Sequence, residues 1–305
     1  MFNIKHIISA ILSLSCLFAI QAQAGNKTSP EITTLAHHYN HSLTHESVKE
    51  PLDDPENQKG IIDDMHNHIA WHLGFIQEKA PSAYTNSVTP HQHSTEHGSL
   101  TTMDLDYGFT FDHYFVDLNL EGASGELSYQ GYPLSHGGHI ISQTNYNLVQ
   151  LDIQAARLYP ITRRIAAAIG LDGYAMSFER SEGASANEDI DQFGAGTFFE
   201  LDFALAPDFI VRLSQTFGIT ARSSLEIPNY AYEASLGNKP FSKTNLSMQY
   251  EVEDNWFLTG NAYFEQYGYK ASKPVYIPEI DETIAHPKST MRFFGFLIGV
   301  DYVLG

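Results

Sequence analysis

The chain has 305 residues, a formal net charge of -19 and only 17% charged residues. That acidity excludes nucleic acid as a partner, and the length allows one large β domain plus a tail. Tyrosine and phenylalanine are abundant, at 17 and 19 residues, and no apolar run beyond the N-terminal leader reaches the length of a membrane-spanning helix.

The N-terminus reads "MFNIKHIISAILSLSCLFAIQAQAG". Lys5, an apolar core from Ile7 to Ile20 and the site Ala22-Gln23-Ala24 predict a secretory signal over residues 1–24. Cys16 is the only cysteine, and Ser13 stands where a lipoprotein signal carries leucine. The mature chain is therefore expected to carry neither a lipid anchor nor a thiol. Residues 25–64 are polar, acidic and histidine-rich with no steady period, the composition of a disordered tail.

Next comes "HNHIAWHLGFIQ". As a strand it puts Ile69, Trp71, Leu73 and Phe75 on one face and His66, His68 and His72 on the other. A short amphipathic helix also fits so short a run. From about residue 100 onward, strands alternate with turns. "LTTMDLDYGFTF" and "YFVDLNLEG" flank the two-residue turn Asp112-His113. That turn pairs Phe109 with Val116, Tyr107 with Leu118, Leu105 with Leu120, Asp106 with Asn119 and Asp104 with Glu121. Both faces stay in phase in that register.

The second hairpin is expected to turn at Pro160-Ile161-Thr162, setting Leu151, Ile153 and Ala155 against Leu171, Ile169 and Ala167, with Gln150 and Asp152 against Asp172 and Gly170. The third turns at Ala206-Pro207-Asp208, setting Leu205 against Phe209, Phe203 against Val211, Leu201 against Leu213 and Asp202 against Arg212. The fourth, "NLSMQYEVEDNWFLTGNAYFEQYGY", pairs Val252 with Trp256, Tyr250 with Leu258 and Leu246 with Ala262. The final strand, "RFFGFLIGVDYVL", is almost uniformly apolar and does not declare its faces.

Tight turns near residues 112, 161, 207 and 254 alternate with longer polar loops near 131–141, 181–191, 226–241 and 271–288. Short turns at one end and long loops at the other are the mark of a transmembrane β-barrel. These segments make nine strands, and bacterial barrels normally have an even number, so "HNHIAWHLGFIQ" is expected to supply the tenth. The fold class is all-β: an antiparallel up-and-down transmembrane barrel over residues 65–305 with about ten strands, eight or twelve being the alternatives. A soluble β-sandwich also alternates. Against it stand the carboxylates collected on the polar face, the large aromatics Tyr114, Phe209 and Trp256 at strand ends, and strands longer than soluble proteins use.

Taken together, the signal, the alternation, the turn asymmetry and a last strand containing Phe294, Phe296, Ile298, Val300 and Tyr302 resemble the small outer-membrane β-barrel proteins of Gram-negative bacteria. The resemblance implies a cell outer-membrane location, contact with outer-membrane lipid and lipopolysaccharide, and insertion by the barrel-assembly machinery. Such proteins commonly end on an aromatic residue, and this chain departs from that pattern at Gly305.

Two groups of residues could carry chemistry. The polar faces place Asp104, Asp106, Asp117, Glu121, Asp152, Asp172, Glu200, Asp202 and Glu251 in the lumen, with Arg212 as the clearest cation among them. Arg222 is expected on the same inner face, beside Arg212. A lumen lined by one sign of charge favours cations, although small barrels are usually filled by their own side chains. Ten of the 15 histidines lie between His37 and His97: His37, His38, His41 and His45, then His66, His68 and His72, then His91, His93 and His97. Imidazole suits Zn or Cu, which makes these candidate metal ligands, against the simpler reading of a solvated tail and loop.

Enzyme signatures are thin, and no catalytic residue is expected. There is no G-x-S-x-G nucleophile elbow. His97-Gly98-Ser99 is a His-x-Ser triplet of the kind in outer-membrane lipid A deacylases. Asp104 and Asp106 form an aspartate pair of the kind in the surface proteases called omptins, without a matching Asp and His set at the outer strand ends. The favoured function is structural, adhesive or surface-interacting, carried by the outer loops. The alternatives are a narrow cation-selective pore or metal-linked transporter, and a membrane-embedded hydrolase.

Overall fold

The structure is a computed structural model that describes residues 66–80, 95–131, 140–162, 164–182, 186–230, 232–278, 281–286 and 288–304. The signal, the acidic tail and the histidines His37, His38, His41, His45, His91 and His93 lie outside the described residues.

Thirteen strands follow in chain order: β1 (His68–Ala80), β2 (Thr95–Phe111), β3 (Tyr114–Gly131), β4 (Ile140–Thr162), β5 (Ile165–Glu182), β6 (Ala186–Ala206), β7 (Phe209–Ile227), β8 (Tyr232–Ser235), β9 (Pro240–Glu253), β10 (Trp256–Tyr269), β11 (Val275–Ile277), β12 (Glu282–Ile284) and β13 (Ser289–Val303). Ten of them close an antiparallel barrel in the order β1 to β7, then β9, β10 and β13, which pairs back onto β1. β8 folds onto the end of β7, and β11 and β12 form a separate two-stranded ribbon. The ambiguous segment 68–80 is thus a strand, and it is the strand that closes the barrel, from His68 opposite Val303 to Lys79 opposite Arg292.

Alternation decides which side chains meet lipid. Along β1, Ile69, Trp71, Leu73 and Phe75 are 42%, 45%, 42% and 46% exposed, while His68, Ala70 and His72 between them are 2%, 2% and 4% exposed. The same pattern resolves β13, whose Phe294, Phe296, Ile298, Val300 and Tyr302 face outward and whose Phe293, Leu297, Asp301 and Val303 face inward. An apolar outer belt on a sheet without free edges is what lets a β chain cross a bilayer, because every backbone polar group finds a partner within the barrel. At the tight-turn rim the belt ends in aromatics. Trp256 packs on Tyr302 with ring centroids 4.9 Å apart, and Arg157 lies over the rings of Tyr114 and Tyr159.

The first hairpin has the register expected from its turn, with Phe109 opposite Val116 and Asp104 opposite Glu121. Asp112 adopts φ 56° to make so tight a reversal. The second departs from expectation. Ala155 lies opposite Leu171, Ile153 opposite Gly173 and Leu151 opposite Ala175, because the chain turns after Thr162 and Pro160 stays in the strand beside a bulge. The slip from the expected register is four residues. An even slip leaves every side chain on its own face, so alternation cannot detect it.

Two smaller departures are bulges next to turns. Ala206, not Leu205, opposes Phe209, and Glu253, not Val252, opposes Trp256. Away from those bulges, Asp202–Arg212, Leu201–Leu213, Tyr250–Leu258 and Leu246–Ala262 pair as expected. The loop expected near 181–191 is mostly strand, since β5 runs to Glu182 and β6 resumes at Ala186. β4 is 23 residues long and β6 is 21. A tilted strand crosses the bilayer in about 9–11 residues, so the barrel wall continues well beyond the belt on the loop side.

A cation in the middle of the belt should be costly. Ile298 is 58% exposed on the outer wall, midway along β13. Ile298→Arg is expected to destabilise the barrel by about 2–4 kcal/mol, and Glu253→Arg at the exposed tight-turn rim by about 0–1 kcal/mol. Denaturant unfolding of the barrel reconstituted in vesicles measures both, and equal costs would misplace the membrane.

Candidate functional site

The inward faces form layers along the barrel. Near the tight turns, Phe115, Leu158, Phe198, Ile210, Phe257 and Val303 belong to one buried apolar cluster. Toward the loops, Tyr146, Met176, Leu225, Tyr267 and Phe293 belong to a second and larger one. Between them lies a polar cavity of about 150 Å³. Its lining includes His68, His72, Asp104, Asp106, Asp117, Glu121, Asp152, Glu200, Arg212 and Lys243. Seven of the ten lumenal charges expected from alternation therefore meet at one site. Asp172 and Asp202 are buried beside it, and Glu251 is half-buried near the tight-turn rim. Arg222, expected on the inner face, is exposed instead, because a bulge after Thr220 reverses the phase of β7 and turns Ser223 and Leu225 inward.

Adjacent strands position the charges in pairs. Arg212 on β7 donates from Nε to Asp202 Oδ1 at 3.0 Å and lies 3.6 Å from Glu200 Oε1. The His66 imidazole approaches both carboxylates, with Nε2 3.4 Å from Glu200 Oε1 and 3.4 Å from Asp202 Oδ2. Its ring stacks on Phe115, centroids 3.9 Å apart, so the apolar plug holds the base of the polar network. Gly108 makes room for this packing. A Cβ there would come within 2.5 Å of both the Asp117 carboxylate and the His66 carbonyl.

Higher in the lumen, His72 Nδ1 meets Asp104 Oδ1 at 2.6 Å, and His68 Nε2 lies 3.6 Å from Asp106 Oδ2. Lys243 on β9 forms an ion pair with Asp152 and lies 3.5 Å from Asp172. Its ammonium also sits 4.9 Å from the centre of the Tyr174 ring, an arrangement that favours a desolvated cation. Tyr263 donates to Glu121 at 2.6 Å, and Tyr267 donates to Glu265 at 2.8 Å. The network thus satisfies most of its charges internally, which is what makes charge tolerable in a closed barrel.

His66, just before β1, and His68 and His72 within it do not converge on one point. His68 and His72 each take a separate aspartate, and only His66 joins two carboxylates, Glu200 and Asp202, whose candidate ligand atoms all lie within 4.8 Å of one another. That donor set could hold a divalent ion, but the Arg212 guanidinium already bridges the same two carboxylates. His97 lies on the opposite face of β2, exposed on the outer wall. Ser99 is exposed beside it, so the His-x-Ser triplet faces away from the lumen.

Sequence reading missed a second ionic cluster above the larger apolar layer. Arg180 on β5 reaches Glu96 on β2 at 2.5 Å and also pairs with Glu188 on β6. Glu78 is buried nearby and, with Glu96, Arg180 and His286, borders a cavity of about 30 Å³. Glu78, Glu96 and Glu188 lie in stretches whose polar composition reads as loop. Arg180 crosses the barrel interior and ties the ends of three strands together.

No protein-family model and no curated protein sequence matches the chain. Solved structures do. The outer membrane protease OmpT of Escherichia coli aligns at 10% identity over 78% of this chain and 97% of that one, with a TM-score of 0.51. OprG, an outer membrane protein from Pseudomonas aeruginosa, aligns at 11% identity over 78% and 96% with a TM-score of 0.36. Neisserial surface protein A aligns at 10% identity over 77% and 97% with a TM-score of 0.31. At such identities the OmpT likeness is one of fold: the chain is a β-barrel of the outer-membrane kind, and the fold places it in the outer membrane.

Arg212 is shielded and shared between two carboxylates. Arg212→Ala is expected to destabilise the barrel by about 3–5 kcal/mol, the range for removing one partner of a buried pair. Arg157→Ala removes a cation on the outer wall and is expected to cost only about 1 kcal/mol. Unfolding midpoints in vesicles compare the two, and an unchanged midpoint for Arg212→Ala would remove the network from the account of stability.

Proposed function

We propose that this protein is a closed, non-conducting outer-membrane barrel whose role is carried by its loop end, which faces the outside of the cell, while the tight turns face the periplasm. On this reading the mature protein begins after Ala24. The observation that carries the proposal is the layering of the lumen. An apolar plug lies on each side of the polar cavity, and the cavity charges are largely paired with one another.

A cation pore needs a continuous wet path with weakly held charge. Here the path meets Phe115 and Phe198 at one end and Tyr146, Tyr267 and Phe293 at the other, all buried. A hydrolase needs its acids and bases to face a substrate groove. Here Glu96 and Glu188 turn toward Arg180, and Asp104 and Asp106 turn toward His72 and His68. Strands that extend beyond the belt, β8 and the β11–β12 ribbon give the loop end a raised surface for contacts. The proposed role is therefore structural or adhesive.

Planar-bilayer recording with the purified, refolded barrel tests this. No unitary current steps are expected in the folded protein. Reproducible cation-selective steps would overturn the closed-lumen reading and favour a pore.

A further inference from the structure

The outer wall carries an unusual charge arrangement at the upper edge of the apolar belt. Lys79 on β1 lies directly opposite Arg292 on β13 and, on its other side, directly opposite His97 on β2. All three side chains are exposed and face outward. One rung lower stand Phe294, Gln77 and Ser99, and two rungs lower Phe296, Phe75 and Thr101, where the belt begins. The row therefore sits where the bilayer's hydrocarbon gives way to headgroups.

Basic side chains side by side across neighbouring strands repel one another. Such a row is also improbable by composition in a chain with 17 basic residues and a net charge of -19. Nearby protein groups offset it weakly. Arg292 Nε donates to the neutral Gln266 Oε1 at 3.3 Å, and Glu126 is exposed on β3, beyond His97. Lys270, Lys273 and Lys288 are exposed around the connection from β10 to β13 and extend the basic sector. On the opposite side of the barrel, β5 to β8 carry Glu179, Asp189, Asp191, Glu226 and Glu233, with Arg222 among them. Cations thus outnumber carboxylates on the side of β1 and β13, where Asp281 is exposed among the lysines, and carboxylates outnumber cations on the side of β5 to β8.

Neighbouring strands are spaced about 4.8 Å apart, so the three side chains span roughly 10 Å along the membrane surface. We propose that the row Arg292–Lys79–His97 binds the phosphates of a phosphorylated glycolipid of the outer leaflet, lipopolysaccharide, with its acyl chains lying on Phe75, Phe294 and Phe296. Arginine and lysine supply charge-assisted hydrogen bonds to phosphate oxygens, and the aromatic residues below supply the apolar surface for the chains. The site rests on the outward orientation of the loop end and is independent of whether the lumen conducts.

The test uses purified, refolded barrel in detergent, with folding verified by heat-modifiable gel migration. Binding of lipopolysaccharide is measured beside lipopolysaccharide stripped of its lipid phosphates and beside phosphatidylglycerol. The wild-type protein is expected to bind the phosphorylated glycolipid with marked preference, and more weakly as salt rises. The Lys79→Gln/Arg292→Gln pair is expected to weaken that binding roughly tenfold or more and to leave binding of the stripped lipid unchanged. Arg157→Gln, at the opposite rim, is expected to leave all three unchanged. Equal binding of phosphorylated and stripped lipid by the wild type would overturn the proposal without any variant. So would equal binding of phosphatidylglycerol, an unaffected double variant, or a like loss in Arg157→Gln. Current steps in a bilayer alongside phosphate-selective binding would overturn the closed lumen and leave this site standing.

Discussion

The pairing of β1 with β13 is the constraint on which the rest of the molecule depends. In hydrocarbon, an unpaired backbone N–H or C=O has no water to turn to, so a sheet can cross the membrane only when its first and last strands meet. Residues 68–79 meet 292–303 without interruption. Closure sets the number of barrel strands and gives the wall an inside and an outside. The two-residue period of each strand then sorts side chains between them. His68, Ala70 and His72 are inside for the same reason that Ile69, Trp71 and Leu73 are outside.

Closure also creates an interior too narrow to be left open and too long to be filled with one kind of side chain. The chain fills it in layers. Phe115 and Phe198 seal the tight-turn end, and Tyr146, Tyr267 and Phe293 seal the loop side. The charges between them are held off the membrane and out of bulk water, where each needs a partner. Arg212 serves Asp202 and Glu200 and Lys243 serves Asp152 and Asp172, while above the loop-side layer Arg180 serves Glu96 and Glu188. Arg212 links neighbouring strands, whereas Lys243 and Arg180 reach strands that are not neighbours in the sheet. Lys243 on β9 joins β4 and β5, and Arg180 on β5 joins β2 and β6. The interior acts as a brace between strands whose main-chain bonds connect only neighbours.

Charge on the outer wall follows a different rule. There an ion meets lipid headgroups, so its cost depends on height along the wall. Arg157, Arg292 and Lys79 all sit at the edges of the apolar belt, where their stems lie beside aromatic or aliphatic surface and their charges reach the polar zone. The loop-side rim carries more cations near β1 and β13 and more carboxylates on β5 to β8, so the two sides of the barrel differ in charge.

Much of this was determined by the sequence alone. Strict alternation in residues 103–111, 114–120 and 246–250 specified which side chains face lipid, and tight turns such as Asp112-His113 specified register, because a two-residue reversal leaves one pairing open. The inward positions of Asp104, Glu121, Asp202 and Arg212 follow from the same period. What alternation leaves open is any shift by an even number of residues, which is why the hairpin after Pro160 pairs four residues away from expectation. The bulges at Leu205 and Val252 are single extra residues beside the turns, too local to disturb the alternation of the strands that follow. Only the tertiary structure decided which inward residues share a height in the barrel. That height depends on closure and on the stagger of strands around the whole ring, so the separate partners of His66, His68 and His72, the Arg180 cluster and the row of side chains Arg292, Lys79 and His97 arise from pairings between segments as far apart as 68–80 and 289–303.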